Sequence, residues 1–155
     1  MQRIILCFLF TIFLIVPVVA QSSTPTPPEM ATVYFYRVEE VNALASRKVE
    51  VKLEGKELLK MPEDNFVGFR FTPGKYGLRM RQKQSEILLS VEAGKRYFVR
   101  VSQKTAGYFL DQSLALIPEE QAIYQMRDMK VLEGKNIKDT SKEVIKEKPT
   151  SPSKP

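Results

Sequence analysis

Three Gly-Lys turns, Glu54-Gly55-Lys56, Pro73-Gly74-Lys75-Tyr76 and Ala93-Gly94-Lys95, lie 19 and 20 residues apart, each between segments that alternate apolar and polar residues. A period of two sends successive side chains to opposite faces of an extended chain. Segments of that kind at close spacing, punctuated by Gly and Pro, predict short antiparallel strands joined in a β-meander.

The strands can be placed one by one. Residues 32–38 (TVYFYRV) are β-branched and aromatic on both faces, which suits a strand covered on both sides. Residues 48–54 (KVEVKLE) alternate strictly, with Val49, Val51 and Leu53 facing one way. Residues 57–61 follow the first turn. Residues 65–71 put Val67, Phe69 and Phe71 on one face, and Tyr76, Leu78 and Met80 continue the pattern after the second turn. Ile87, Leu89 and Val91, then Tyr97, Val99 and Val101, give two more inward rows, and residues 107–117 supply a last strand. Pro73 presets φ and Gly74 accepts the positive φ of a type II turn. Pro118-Glu119-Glu120 opens one helix, with acidic residues at the positive end of its dipole and Ala122, Ile123 and Met126 on one face; Gly134 ends it. That helix is expected across the edge or end of the sandwich. About eight short strands and one short C-terminal helix make an all-β antiparallel sandwich over residues 31–133.

The flanks read differently. Arg3 followed by the apolar run 4–16, Pro17 and the small residues Val18-Val19-Ala20 form an export signal over residues 1–20. The run is short for a spanning helix, so the expectation is cleavage and no transmembrane span afterwards. Residues 21–30 (QSSTPTPPEM) are a Pro/Ser/Thr linker. Residues 134–155 are lysine-rich, then Pro/Ser-rich, and are expected to be a disordered basic tail able to adhere to anionic envelope polymers.

Composition removes whole chemistries. The chain has one Cys, Cys7 within the signal, and no His or Trp. Cleavage therefore leaves no thiol nucleophile, no Ser-His-Asp triad, no disulfide and no zinc site of ordinary ligand type. No cofactor is implied. The formal net charge of +6 permits attraction to anionic surfaces without naming a partner. Export and the absence of a recognisable module argue against nucleic acid. The Gly-Lys pairs are not phosphate loops, because each enters a strand rather than a helix.

Three runs taken in order, 32–37 (TVYFYR), 71–76 (FTPGKY) and 91–97 (VEAGKRY), resemble a bacterial exported family, domain of unknown function 2846, with a prealbumin-like or transthyretin-like β-sandwich. In that pattern a VY-Y-R first strand leads to a PGKY turn and then an AGK-Y turn. The resemblance covers residues 31–133. It implies export and a non-enzymatic β-domain, and it brings no catalytic residue. Many relatives look like lipoproteins; this chain has no cysteine at its cleavage site and is not read as one.

One constellation stands out. Arg70, Arg79, Arg81, Arg96 and Arg100 all fall on the polar phase of their strands, with Phe66 and Phe98 beside them. If the strands are neighbours, these form an Arg-rich sheet face suited to phosphate, sulfate or carboxylate groups of an anionic glycan, a teichoic-type polymer or lipid headgroups. The competing reading is an ordinary solvated face balanced by Glu50, Glu54, Glu86 and Glu92. For catalysis the candidates are Glu39-Glu40, Glu63-Asp64, Asp111 and Glu119-Glu120, of which Asp111 alone lies within an apolar stretch. The reading is an exported non-catalytic binding or accessory module of the cell envelope, with an anionic envelope glycan or another envelope protein as its expected partner. Its alternatives are a structural or adaptor protein pairing through an edge strand, or a carboxylate-based glycan hydrolase.

Overall fold

The computed structural model describes residues 29–39, 47–81, 86–106 and 109–150. The export signal read at residues 1–20 and most of the linker lie outside them. The architecture is an all-β sandwich with one short helix, and ten strands are found among the described residues.

The first sheet contains β1 (Ala31–Arg37), β4 (Asn65–Phe71), β7 (Arg96–Ala106), β8 (Phe109–Leu116) and β10 (Val144–Ile145), in the order β10-β4-β1-β7-β8, with β9 (Lys130–Val131) also paired to β4. The second contains β2 (Val49–Leu53), β3 (Lys56–Met61), β5 (Gly74–Met80) and β6 (Ile87–Val91), in the order β3-β2-β5-β6. Most pairings are antiparallel, but β1 runs parallel to β7, with Val33 opposite Tyr97 and Phe35 opposite Val99.

The core between the sheets is built from the inward phases predicted by alternation. Val33, Phe35, Val51, Phe69, Leu78, Leu89 and Val99 are all fully buried in one cluster, and Phe35 meets Phe69 edge to face with centroids 5.9 Å apart. Burying rows of such side chains, at roughly 1.5–3 kcal/mol each, is what holds a cysteine-free sandwich together. The other phase of β1 is buried too. Tyr34, Tyr36, Phe66 and Phe98 pack under Ala122 and Met126 of α1 (Glu119–Met126). The helix therefore covers the outer face of the first sheet instead of crossing an edge or end, because that face carries aromatic side chains that need cover.

Three expectations are corrected. First, the chain is not a simple meander. Gly55, at φ 81°, closes the β2–β3 hairpin. The Pro73-Gly74 corner instead carries the chain from the first sheet to the second, and the Ala93-Gly94 corner carries it back. Gly74 is already the first residue of β5 and lacks the positive φ of a type II turn. A corner between sheets and a hairpin keep the same parity on the core side, so alternation cannot distinguish them. Second, the helix ends at Met126. The chain then extends as β9 beside β4, and Leu132 reaches the main core with its N–H donating to the Phe66 carbonyl at 2.8 Å.

Third, residues 134–150 are ordered against the sandwich. A 3-10 turn at Gly134–Asn136 leads to Ile137, which bridges Leu59 of β3. The N–H groups of Lys138 and Asp139 both donate to the Leu58 carbonyl, at 2.9 and 3.1 Å. Farther on, the Arg70 N–H donates to the Glu143 carbonyl at 2.9 Å and β10 pairs with β4. The segment thus spans from the open edge of one sheet to that of the other. Unpaired edge N–H and C=O groups give a polar segment a reason to order that its composition does not reveal.

Candidate functional site

The five strand arginines do not form one face. Arg70 and Arg96 both lie level with Thr32, and Arg100 lies level with Tyr36, so these three share the outer face of the first sheet. Arg79 and Arg81 belong to β5 and its end, in the second sheet. The shared face is not open, because α1 and the C-terminal segment lie over it. Arg70 Nη1 donates to Thr32 Oγ1 at 2.9 Å. Arg96 pairs with Glu119 at the start of α1 and donates from Nη1 to the Thr150 carbonyl at 3.0 Å. Burial pushes the Tyr36 phenol up to about 12, although the Arg100 charge pulls the other way. Arg96 therefore fastens covering elements, Arg70 ties β4 to its neighbour β1, and Arg79 lies over Gly55 in a shallow surface depression flanked by Glu54 and Glu86.

Arg81 alone of the five enters a sizeable groove. This groove, of about 610 Å³, lies at one end of the sandwich. Its rim comes from the second sheet: Arg47 and Lys48 where β2 begins, Lys60 near the end of β3, and Arg81 just past β5. Pairing explains the clustering. Glu50 lies opposite Lys60, and the Val51–Met80 pair carries Arg81 to the other side of Glu50. Glu50, the rim's carboxylate, is already engaged by Lys52 Nζ at 3.1 Å. Lys48 Nζ donates to Asn136 Oδ1 at 2.9 Å. The Arg47 carbonyl accepts from buried Arg37 Nη1 at 2.7 Å, which fixes the rim to the end of β1.

The floor is an amide pair. Gln103 and Gln112 are direct cross-strand partners on β7 and β8, and Gln112 Nε2 donates to Gln103 Oε1 at 3.0 Å. Gln103 continues the inward phase of Val99 and Val101 and is 2 % exposed. Here the apolar core gives way to two amides. Gln103 Nε2 and Gln112 Oε1 find no hydrogen-bond partner among the described residues. Sequence reasoning missed both glutamines. The available signal was a polar residue at 103 directly continuing an apolar inward row.

The arrangement suits binding by charge and hydrogen bonding. Of the candidate acids, Glu63 holds Arg37 at 3.1 Å and Glu119 pairs with Arg96, while Asp111 is exposed opposite Lys104 on the β7–β8 ribbon. Glu40 lies outside the described residues. No group of three or more His, Cys, Asp or Glu side chains able to hold a metal occurs among the described residues. No helix among them is long and apolar enough to cross a membrane.

Comparison with known proteins gives one further fact: a family model described as Protein of unknown function (DUF2846) matches residues 28–112. No curated protein and no solved structure matches.

Proposed function

The chain belongs to this family of unknown function, and from that premise we propose that it is a bacterial, exported, non-catalytic binding module of the cell envelope whose end groove takes an anionic glycan or related polymer. The observation that carries the reading is the convergence of Arg47, Lys48, Lys60 and Arg81 on one groove whose single lining carboxylate is engaged by Lys52. Arginine offers a planar fork and lysine a point charge, a combination suited to carboxylate, sulfate or phosphate groups. The apolar run after Arg3 supports export. The strand orders β4-β1-β7-β8 and β3-β2-β5-β6 support the prealbumin-like reading of the sandwich.

Titration calorimetry of residues 21–155 against an acidic oligosaccharide at low and high salt tests the proposal. Binding that weakens with salt and is lost in an Arg47→Ala/Arg81→Ala double variant supports it. Equal binding by the variant and the wild type removes the groove from the account.

A second reading, an adaptor that adds a partner strand to a free edge, is favoured by β6. This strand lies at the end of its sheet and leaves Leu88 68 % exposed. Light scattering separates the two readings, because assembly through β6 gives a stable oligomer that a Leu88→Lys variant dissolves.

A further inference from the structure

Resting on the groove as the binding site, the geometry points to a narrower ligand: we infer that the Gln103–Gln112 pair selects an acidic sugar, a charged pyranose with free ring hydroxyls, over a bare phosphate polymer. The rim alone does not discriminate, since any anion satisfies Arg47, Lys60 and Arg81. The floor does. Gln103 Nε2 offers a donor without an acceptor, and Gln112 Oε1 offers an acceptor without a donor. Turning both amides over exchanges the roles and still leaves one donor and one acceptor. A phosphate or carboxylate oxygen only accepts, so it leaves the amide carbonyl bare. A hydroxyl donates and accepts at once and satisfies both atoms.

The arrangement is also costly to the fold. A buried polar atom without a partner is destabilising, and a leucine pair fits the inward phase occupied by Val99, Val101 and Leu114. An amide pair kept at that position, facing a cationic groove, has the character of a ligand-reading floor. A site built to hydrogen-bond a hydroxyl rejects a ligand that lacks one, because its own buried groups then stay unpaired.

Two anionic probes separate the terms: a trimer of galacturonic acid and the more highly charged inorganic tripolyphosphate, each titrated into residues 21–155. The expected result is tighter binding of the uronate. A Gln103→Leu/Gln112→Leu variant weakens it by about tenfold or more, one well-made hydrogen bond's worth, and leaves tripolyphosphate unchanged. That variant also melts higher than the wild type. Gln112→Met, nearer the groove mouth, gives the same selective loss and serves where the double variant fails to fold. Arg47→Ala/Arg81→Ala weakens both probes. If the leucine or methionine variant holds the uronate as tightly as the wild type, or tripolyphosphate binds the wild type equally well, the amide selectivity is wrong and the cationic groove stands. If neither probe binds the wild type, or the arginine variant binds both unchanged, the groove itself is wrong.

Discussion

Arg37 Nη2 lies 3.1 Å from Glu63 Oε1, with the guanidinium fully buried and the carboxylate one-fifth exposed at 20 %. From Nη1 the same guanidinium donates to the carbonyls of Arg47 at 2.7 Å and Met61 at 3.3 Å. The arginine that ends the VY-Y-R strand is therefore a tie between the end of β1, the start of β2 and the end of β3. Removing the carboxylate takes away one charged partner of a buried guanidinium, which costs less than the roughly 3–5 kcal/mol of breaking an isolated buried pair. Glu63→Gln is expected to lower stability by about 1–3 kcal/mol in urea unfolding and to weaken binding in the groove through the Arg47 rim. Glu92→Gln, which breaks the exposed Lys95–Glu92 pair, serves as the control and leaves the midpoint unmoved. Equal midpoints for the two variants would show that the buried tie contributes nothing.

The corrected path of the chain gives a glycine test. Gly55 sits at φ 81°, where a Cβ is strained, and a Cβ there also comes within 3.3 Å of Arg79 Nη2. Gly74 has no positive φ, and its nearest neighbour is the Tyr76 ring at an ordinary 3.7 Å. Gly55→Ala is expected to cost about 1 kcal/mol, while Gly74→Ala is neutral or slightly stabilising because it removes unfolded-chain freedom. A type II turn at Pro73-Gly74 predicts a comparable cost at Gly74, and thermal melts of the two single variants decide.

What alternation could and could not reveal follows from these same positions. Inward parity was legible at Val51, Phe69, Leu89 and Val99 because each strand needs one apolar row whichever sheet it joins. Sheet membership was not, because the corners at Gly74 and Gly94 use the same residues as a hairpin. That ambiguity divided the arginine face: Arg70, Arg96 and Arg100 went to one sheet, Arg79 and Arg81 to the other. The groove was legible only in part. Arg81 marked it, but Arg47, Lys48 and Lys60 come together through register, and Gln103 and Gln112 through a cross-strand pair. The C-terminal segment was misread because its order derives from backbone bonds to β3 and β4 and not from its own apolar content.

Alkaline pH probes the second cluster. Tyr36 is fully buried, donates its hydroxyl to Gln125 Oε1 at 2.7 Å, and has a pKa pushed up to about 12 by burial. Its neutral form is favoured in the fold, whereas the unfolded phenol ionises near 10. The stabilisation is therefore fully present below about pH 10 and is lost as pH rises from there toward 12. Tyr34, also raised mainly by burial, acts in the same direction. Tyr36→Phe is expected to melt somewhat lower at pH 8, for want of the Gln125 bond, and to show a flatter decline between pH 10 and 12. Parallel declines in the two proteins would show that Tyr36 does not set the alkaline limb.

The C-terminal segment closes one side of the sandwich, and its removal should be felt in stability and in association. Deleting residues 134–155 removes the bonds from Lys138 and Asp139 to Leu58, the Arg70–Glu143 bond, the β10 pairing and the Lys142 ammonium 4.5 Å from the Phe71 ring. Backbone bonds of about 0.5–1.5 kcal/mol net each, together with lost apolar cover over β4, put the expected destabilisation at about 2–4 kcal/mol. The deletion also bares the edges of β3 and β4, and unpaired edges recruit other chains. The truncated protein should therefore form concentration-dependent oligomers in light scattering. Removing only residues 151–155, beyond the Thr150 carbonyl held by Arg96, should leave both readouts unchanged. Gly68→Ala is a milder version of the same lesion, since its Cβ would come within 3.0 Å of both the Ile145 Cβ and the Tyr34 ring and push β10 from β4. A truncated chain that stays monomeric and melts with the full-length protein would return the segment to the role of a passive tail.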